Sequence, residues 1–227
     1  MTATVEAVIF DWGGTLTPWH TIDARESWLA ATGDADAAAR LGAAEDAVWL
    51  RARDEHRSAT LAGVLEAAGI DADDRFLANY HAWWEPHTLI DPDVPGLFAW
   101  LRGEGIRIGI LSNTIWPRER HEGIFARDEV LALIDGAVYT SEIAWTKPHA
   151  EAFRAALAAV GVADPGRAVF VGDRLFDDIH GAQAVGMRAV LVPHSDVPHW
   201  QRGHSEGTPD AVIERLADLK AVLAAWR

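Results

Sequence analysis

Short β-branched and aromatic runs alternate with longer stretches of helical spacing along most of this chain. The first run ends on a solidly apolar triplet, Val8, Ile9 and Phe10, as a buried strand does. Runs at 107–111, 136–140, 168–171 and 189–192 repeat that signature. Helical patterns lie between them, at roughly 149–160 and 176–186 and from about 210 to 226. Pro148 and Gly161 bracket the first of these as start and stop signals. Residues 17–91 read differently. Ala43, Ala47 and Leu50, then Leu61, Val64, Leu65 and Ala68, recur at three- and four-residue spacing without an intervening strand. Asp34 reads as an N-cap, Ala68-Gly69 as a stop, and Asp71-Ala-Asp-Asp as the next start. The turn cluster at 91–96, Asp-Pro-Asp-Val-Pro-Gly, closes the block. The pattern predicts an α/β core over 1–16 and 92–227, a parallel sheet with helices on both faces, and a helical subdomain inserted over 17–91. Residues 201–209 read as an exposed polar loop.

Composition narrows the choices. With 227 residues the chain can bury a full core, and with no cysteine it has no disulfide, thiolate metal site or cysteine nucleophile. A formal charge of -14 argues against a nucleic-acid or anionic-membrane face. No segment approaches the roughly 20 apolar residues of a membrane span. A soluble cytoplasmic protein acting on a small molecule is the expectation. Of 20 lysines and arginines only Lys147 and Lys220 are lysines, and the 11 tryptophans are read mainly as packing, with Trp12 next to the candidate nucleophile. Trp19, His20 and Trp28 read first as packed tryptophans and an exposed histidine, and second as positions that face a cleft.

Four polar groups follow the C-terminal ends of predicted strands. Asp11 follows the first strand, and Gly13 and Gly14 let the backbone turn there. Ser112-Asn113-Thr114 follows the second, Lys147 lies beyond the third, and Asp173, with Asp177 and Asp178, follows the fourth. In a parallel sheet these ends share one edge, so the four converge on one crevice. A carboxylate nucleophile, a hydroxyl, a fixed cation and further carboxylates suit phosphoryl transfer through an aspartyl-phosphate, with a hard cation offsetting oxygen charge.

Taken in order, Phe-Asp-Trp-Gly-Gly-Thr-Leu at 10–16, Leu-Ser-Asn-Thr at 111–114, Trp-Thr-Lys-Pro at 145–148 and Val-Gly-Asp-Arg-Leu-Phe-Asp-Asp-Ile-His-Gly-Ala at 171–182 resemble the haloacid dehalogenase superfamily. Most of that superfamily are magnesium-dependent phosphatases. The resemblance implies a three-layer Rossmann-like core with the helical block as its cap, and a small phosphate ester as substrate. It implies Asp11 as nucleophile, with magnesium on Asp11, the carbonyl of Gly13 and Asp173. Asp178, or else Asp177, would hold the metal's water or orient Lys147. Ser112, Asn113 and Lys147 would receive the phosphoryl group.

The chain departs from the family at Gly13, where the phosphatases carry the Asp that protonates the leaving oxygen and activates water. General acid–base help is worth about 10²–10⁴ in rate, so its loss weakens catalysis without removing the other groups. One reading is a phosphatase with a good leaving group, an acid on the substrate, or an imidazole such as His20, His81, His87 or His121. Another is a metal-independent 2-haloacid dehalogenase, whose relatives have Tyr at the Gly13 position and lack the Asp173 carboxylate. A third is a non-catalytic protein that binds a phosphorylated ligand. A phosphonate-cleaving variant needs a cap lysine, and residues 17–91 contain none. Carboxylates gathered around Asp11 make sense only if a cation offsets them, which favours the metal-dependent phosphatase.

Overall fold

A computed structural model describes residues 4–18, 22–193 and 206–226. Six parallel strands form one sheet in the order β3-β2-β1-β4-β5-β6. They are β1 (Ala7–Phe10), β2 (Arg107–Ser112), β3 (Gly136–Tyr139), β4 (Ala168–Gly172), β5 (Arg188–Leu191) and β6 (Ala211–Val212). β1 lies in the middle, with Phe10 opposite Ile110 of β2 and Val171 of β4. That register brings Asp11, Ser112 and Asp173 out at one edge within two residues of one another. The backbone N–H of Asp11 donates to Val171 O at 2.9 Å, which extends the ladder up to the carboxylate-bearing residue.

All four residues of β1 are buried, as expected of a strand covered on both faces. Val8 and Phe10 join one core cluster, in which the Phe10 ring lies 5.3 Å from Phe98 of α5 (Val94–Gly103). Ala7 and Ile9 join the other, with Phe153 and Leu157 of α7 (Ala150–Ala159). On the first face lies α6 (Arg118–Arg127), which buries Ile124 and Phe125. Gly161, at φ 66°, follows α7 as the sequence suggests.

Between β1 and α5 run α1 (Arg25–Thr32), α2 (Ala35–Glu55), α3 (Leu61–Ala68) and α4 (Asp74–Trp84). The side chains of Asp34, Thr60 and Asp73 accept N–H bonds at the starts of α2, α3 and α4, and Gly69 ends α3 at φ 65°. The backbone N–H of Asp91 donates to Leu16 O at 2.7 Å, so the chain leaves and rejoins the sheet layer at one point.

Two expectations need correction. The stretch from about 210 to 226 is not one helix. Asp210 N donates to Ala189 O and Ile213 N to Leu191 O, which draws β6 onto the sheet edge, and only α9 (Leu219–Ala225) is α-helical. Burial of Ile213 on that edge outweighs the helical spacing. The stretch 176–186 is also divided, into a π-helical turn over Leu175–His180 and the short α8 (Gly181–Ala184). Of the loop expected at 201–209, residues 201–205 lie outside the described residues, as do Trp19 and His20.

Candidate active site

The turn after β1 is built for close approach. Gly14 takes φ 97° and its N–H donates to Thr17 O at 2.8 Å, a conformation that side-chain-bearing residues avoid. Gly13 does not share the positive φ. Thr15 comes back toward the nucleophile, with Oγ1 3.4 Å from Asp11 Oδ2. Asp11 itself is 5 % exposed.

Lys147 is buried and bridges two carboxylates. Its Nζ donates to Asp11 Oδ1 at 2.6 Å and to Asp178 Oδ1 at 2.7 Å. The lysine is held from behind by Asn113, whose Oδ1 accepts from Lys147 N at 2.8 Å and whose Nδ2 donates to Lys147 O at 3.1 Å. Both ends of the Asn113 amide therefore help to place Lys147, with one N–H of its Nδ2 left over. Asp178 is fixed in turn, because Arg174 N donates to its Oδ2 at 3.0 Å. A Cβ on Gly172 would overlap the Asp178 carboxylate, so the glycine of the Gly-Asp pair makes room for that approach. The π turn separates the two acids: Asp178 faces Lys147, while Asp177 faces Arg174 at 3.6 Å.

Asp11, Asp173 and Asp178 each offer an oxygen within 4.8 Å of the other two, and all three are buried. Both oxygens of Asp173 are buried without a hydrogen-bond partner. A bare buried carboxylate of this kind is costly unless something positive meets it. Burial pushes the Asp11 carboxyl up to about 6 despite the pull of Lys147. Burial likewise holds Asp173 well above the usual carboxylate range, against the charge of Arg174. For Lys147, burial disfavours the ammonium, but Asp11 and Asp178 outweigh it and raise its pKa. The donor set is hard oxygen, crowded and short of positive charge, which fits a divalent cation such as magnesium.

Ser112 ends β2 on the same edge and is 1 % exposed. The loop after it is laced by Thr114. Thr114 N donates to Thr140 Oγ1 at 2.9 Å, Trp116 N donates to Thr114 Oγ1 at 2.9 Å, and His121 Nε2 lies 3.0 Å from the same oxygen. His121 packs edge-on to Trp12 at 4.7 Å, and burial first, with Arg120 and Arg118 adding, drives its pKa down to about 3. Burial thus favours its neutral form. His81 is likewise lowered by burial, and His87 packs on Trp83 at 4.7 Å. Trp28 is fully buried, stacked on Tyr80 at 4.5 Å and donating to Glu45 at 2.7 Å, so it packs the helices.

Sequence reasoning missed Thr15, Arg174 and the positioning role of Asn113. Thr15 and Arg174 stood inside the quoted motifs, but only side-chain directions show what they face.

The family model for haloacid dehalogenase-like hydrolases matches residues 5–186. A glyceraldehyde 3-phosphate phosphatase of Methanothermobacter thermautotrophicus is 33% identical over 138 residues, covering 60% of this chain and 55% of that protein. A phosphoserine phosphatase of Thermus thermophilus is 33% identical over 163 residues, 70% of this chain and 60% of its own. The match thus spans little more than half the length of either relative. Among solved structures, a HAD phosphatase from Thermococcus onnurineus superposes with TM-score 0.69 at 23% identity, covering 96% of this chain and 98% of its own. A 2-haloacid dehalogenase from Pseudomonas syringae does so with TM-score 0.66 at 25% identity, covering 99% and 100%.

Proposed function

The chain belongs to the haloacid dehalogenase-like hydrolases, an enzyme family, and on that premise we propose that it is a phosphatase acting on a small phosphate ester through phospho-Asp11. The observation that carries this reading is the buried trio Asp11, Asp173 and Asp178, with both Asp173 oxygens unpartnered. Three carboxylates this close are stabilised by a divalent cation, which metal-free displacement on carbon does not supply.

Asp11, Asp173 and the carbonyl of Gly13 would hold magnesium, with Asp178 beside them. When bound, the ion supplies the positive charge that lets an anionic phosphoryl group approach a carboxylate. Asp11 attacks phosphorus as the bond to the leaving oxygen breaks, and water then cleaves the acyl phosphate to release phosphate and free Asp11. Lys147 neutralises charge on the transferred group and is kept in line by Asn113 and Asp178. Ser112 donates to a phosphoryl oxygen. Thr15 steadies the second oxygen of Asp11. Helices α1 to α4 act as a cap that excludes water and selects the ester. With glycine at position 13, protonation of the leaving oxygen falls to the substrate or to solvent.

The test is turnover of p-nitrophenyl phosphate with magnesium and with chelator, beside Asp11→Asn. Chloride release from 2-chloropropionate is followed in parallel. Phosphate release that needs magnesium and Asp11 supports the proposal. Halide release in the presence of chelator replaces it with the dehalogenase reading.

A further inference from the structure

Residues 56–61 lead from the end of α2 to the start of α3 in the helical insert, and they are hydrogen-bonded to two loops of the core. The first loop leads to Lys147. Thr146 N donates to His56 O at 2.9 Å, Ser58 N donates to Ala144 O at 3.3 Å, and Arg57 faces Trp145 in an antiparallel bridge. The second loop carries Asn113, and there Leu61 N donates to Ile115 O at 2.7 Å. These are the same two loops that Asn113 and Lys147 tie to each other, at 2.8 and 3.1 Å. One stretch of the insert thus braces both halves of the support behind the buried cation.

Side chains reinforce the bridge. The Arg57 guanidinium lies 4.3 Å over the Trp145 ring, a cation–π contact. Trp145 stacks on His149, with ring centroids 3.9 Å apart and planes 5° apart. His149 N donates back to Thr146 O at 2.9 Å, so the stack closes over the turn that contains Lys147. Arg57 itself is exposed, so removing its side chain leaves the core intact and any effect on Lys147 has to pass through Trp145 and its loop.

We propose that residues 56–61 are a positioning strap for Lys147. With the insert docked, the strap holds the loop in place, and Lys147 leaves its carboxylates when the strap lets go. Arg57 and Trp145 are positioning residues that act through Lys147. The value of this link to catalysis rests on the phosphatase reading above, whereas the mechanical link does not.

The experiment reads Lys147 itself. The chain has only two lysines, so acylation of Lys147 relative to Lys220, followed by peptide mass spectrometry without metal or ester, reports how often Lys147 is released. That ratio should rise about two- to fivefold in Arg57→Ala, the shift in an opening equilibrium that an exposed cation–π contact gives. Arg57→Lys should recover part of the protection, and Arg53→Ala, which removes only the exposed pair with Asp54, should leave the ratio unchanged. Positions 57 and 145 can also be stapled. The hydrogen bonds flank this pair rather than join it, so the Cα atoms lie about 4.5 Å apart, which suits a disulfide. Arg57→Cys with Trp145→Cys, in a chain with no other cysteine, should protect Lys147 when oxidised and release it when reduced. The oxidised form should keep its turnover of p-nitrophenyl phosphate with magnesium. Equal labelling of Lys147 in wild type, Arg57→Ala and both redox forms overturns the inference. So does labelling that rises in step with exchange of the β1 amides, because the whole domain is then opening. An oxidised form that protects Lys147 but loses the turnover of the reduced form also overturns it, because the strap must then lift for the reaction. Labelling that follows the redox state, with no ester hydrolysed in either form, keeps the strap and removes the phosphatase reading.

Discussion

Gly13 stands where the family resemblance leads one to expect an Asp, and its φ lies outside the left-handed region. Gly14 carries the positive φ of the turn, so an Asp at 13 meets no left-handed penalty. Gly13→Asp should therefore raise kcat for alkyl phosphates by about 10²-fold and change aryl phosphates much less, because only poor leaving groups need the proton. Wild-type rates plotted against leaving-group pKa, beside those of Gly13→Asp, check this. Lys147 makes a different prediction. Lys147→Met leaves Asp11 and Asp178 facing each other with no cation between, and such a broken buried pair costs about 3–5 kcal/mol. Urea unfolding without metal should show that loss. The raised pKa values of Asp11 and Asp173 set the sign of a pH effect. The fold binds these protons more tightly than the unfolded chain does. Their contribution is thus complete below the ordinary Asp range and is lost as pH rises through their folded-state values, about 6 for Asp11. Metal-free protein should melt lower at about pH 8 than at about pH 5, magnesium should stabilise it mainly at the higher pH, and Asp173→Asn should weaken both trends.

At the level of elements, the sequence predicts best where one local signal decides the outcome. Asp34 shows this. Its carboxylate takes the N–H groups of Asp36 and Ala37 at 2.8 and 3.0 Å, and Asp34→Ala should lower the thermal unfolding midpoint. The ends of β1, β2 and β4 were likewise legible, because each apolar run stops at a polar residue that the edge then uses. The π turn over Leu175–His180 was not. Its extra width settles that Asp178 and not Asp177 meets Lys147, and that choice is made by the distant contacts of Lys147 and Gly172. β6 was missed for a related reason. Two residues carry too little periodicity to compete with helical spacing downstream, and Asp210 accepting from Ala189 N is a pairing across 21 positions.

Across the whole molecule, the convergence of four sequence motifs on one sheet edge followed from the βαβ order alone. The contacts between the helical insert and that edge did not. Trp116 Nε1 donating to Tyr80 Oη at 3.1 Å and Leu61 N donating to Ile115 O at 2.7 Å join segments that no local pattern relates. The central place of β1 has a consequence for how activity is lost. Its amides are bonded to β2 on one side and β4 on the other and are sealed from water on both faces. Deuterium should enter those amides only when the entire domain opens. Fraying of outer strands or helices leaves Asp11 anchored, so exchange at the Asp11 amide should follow the same urea curve as circular dichroism, whereas turnover is free to fall earlier as Lys147 or the helical insert opens.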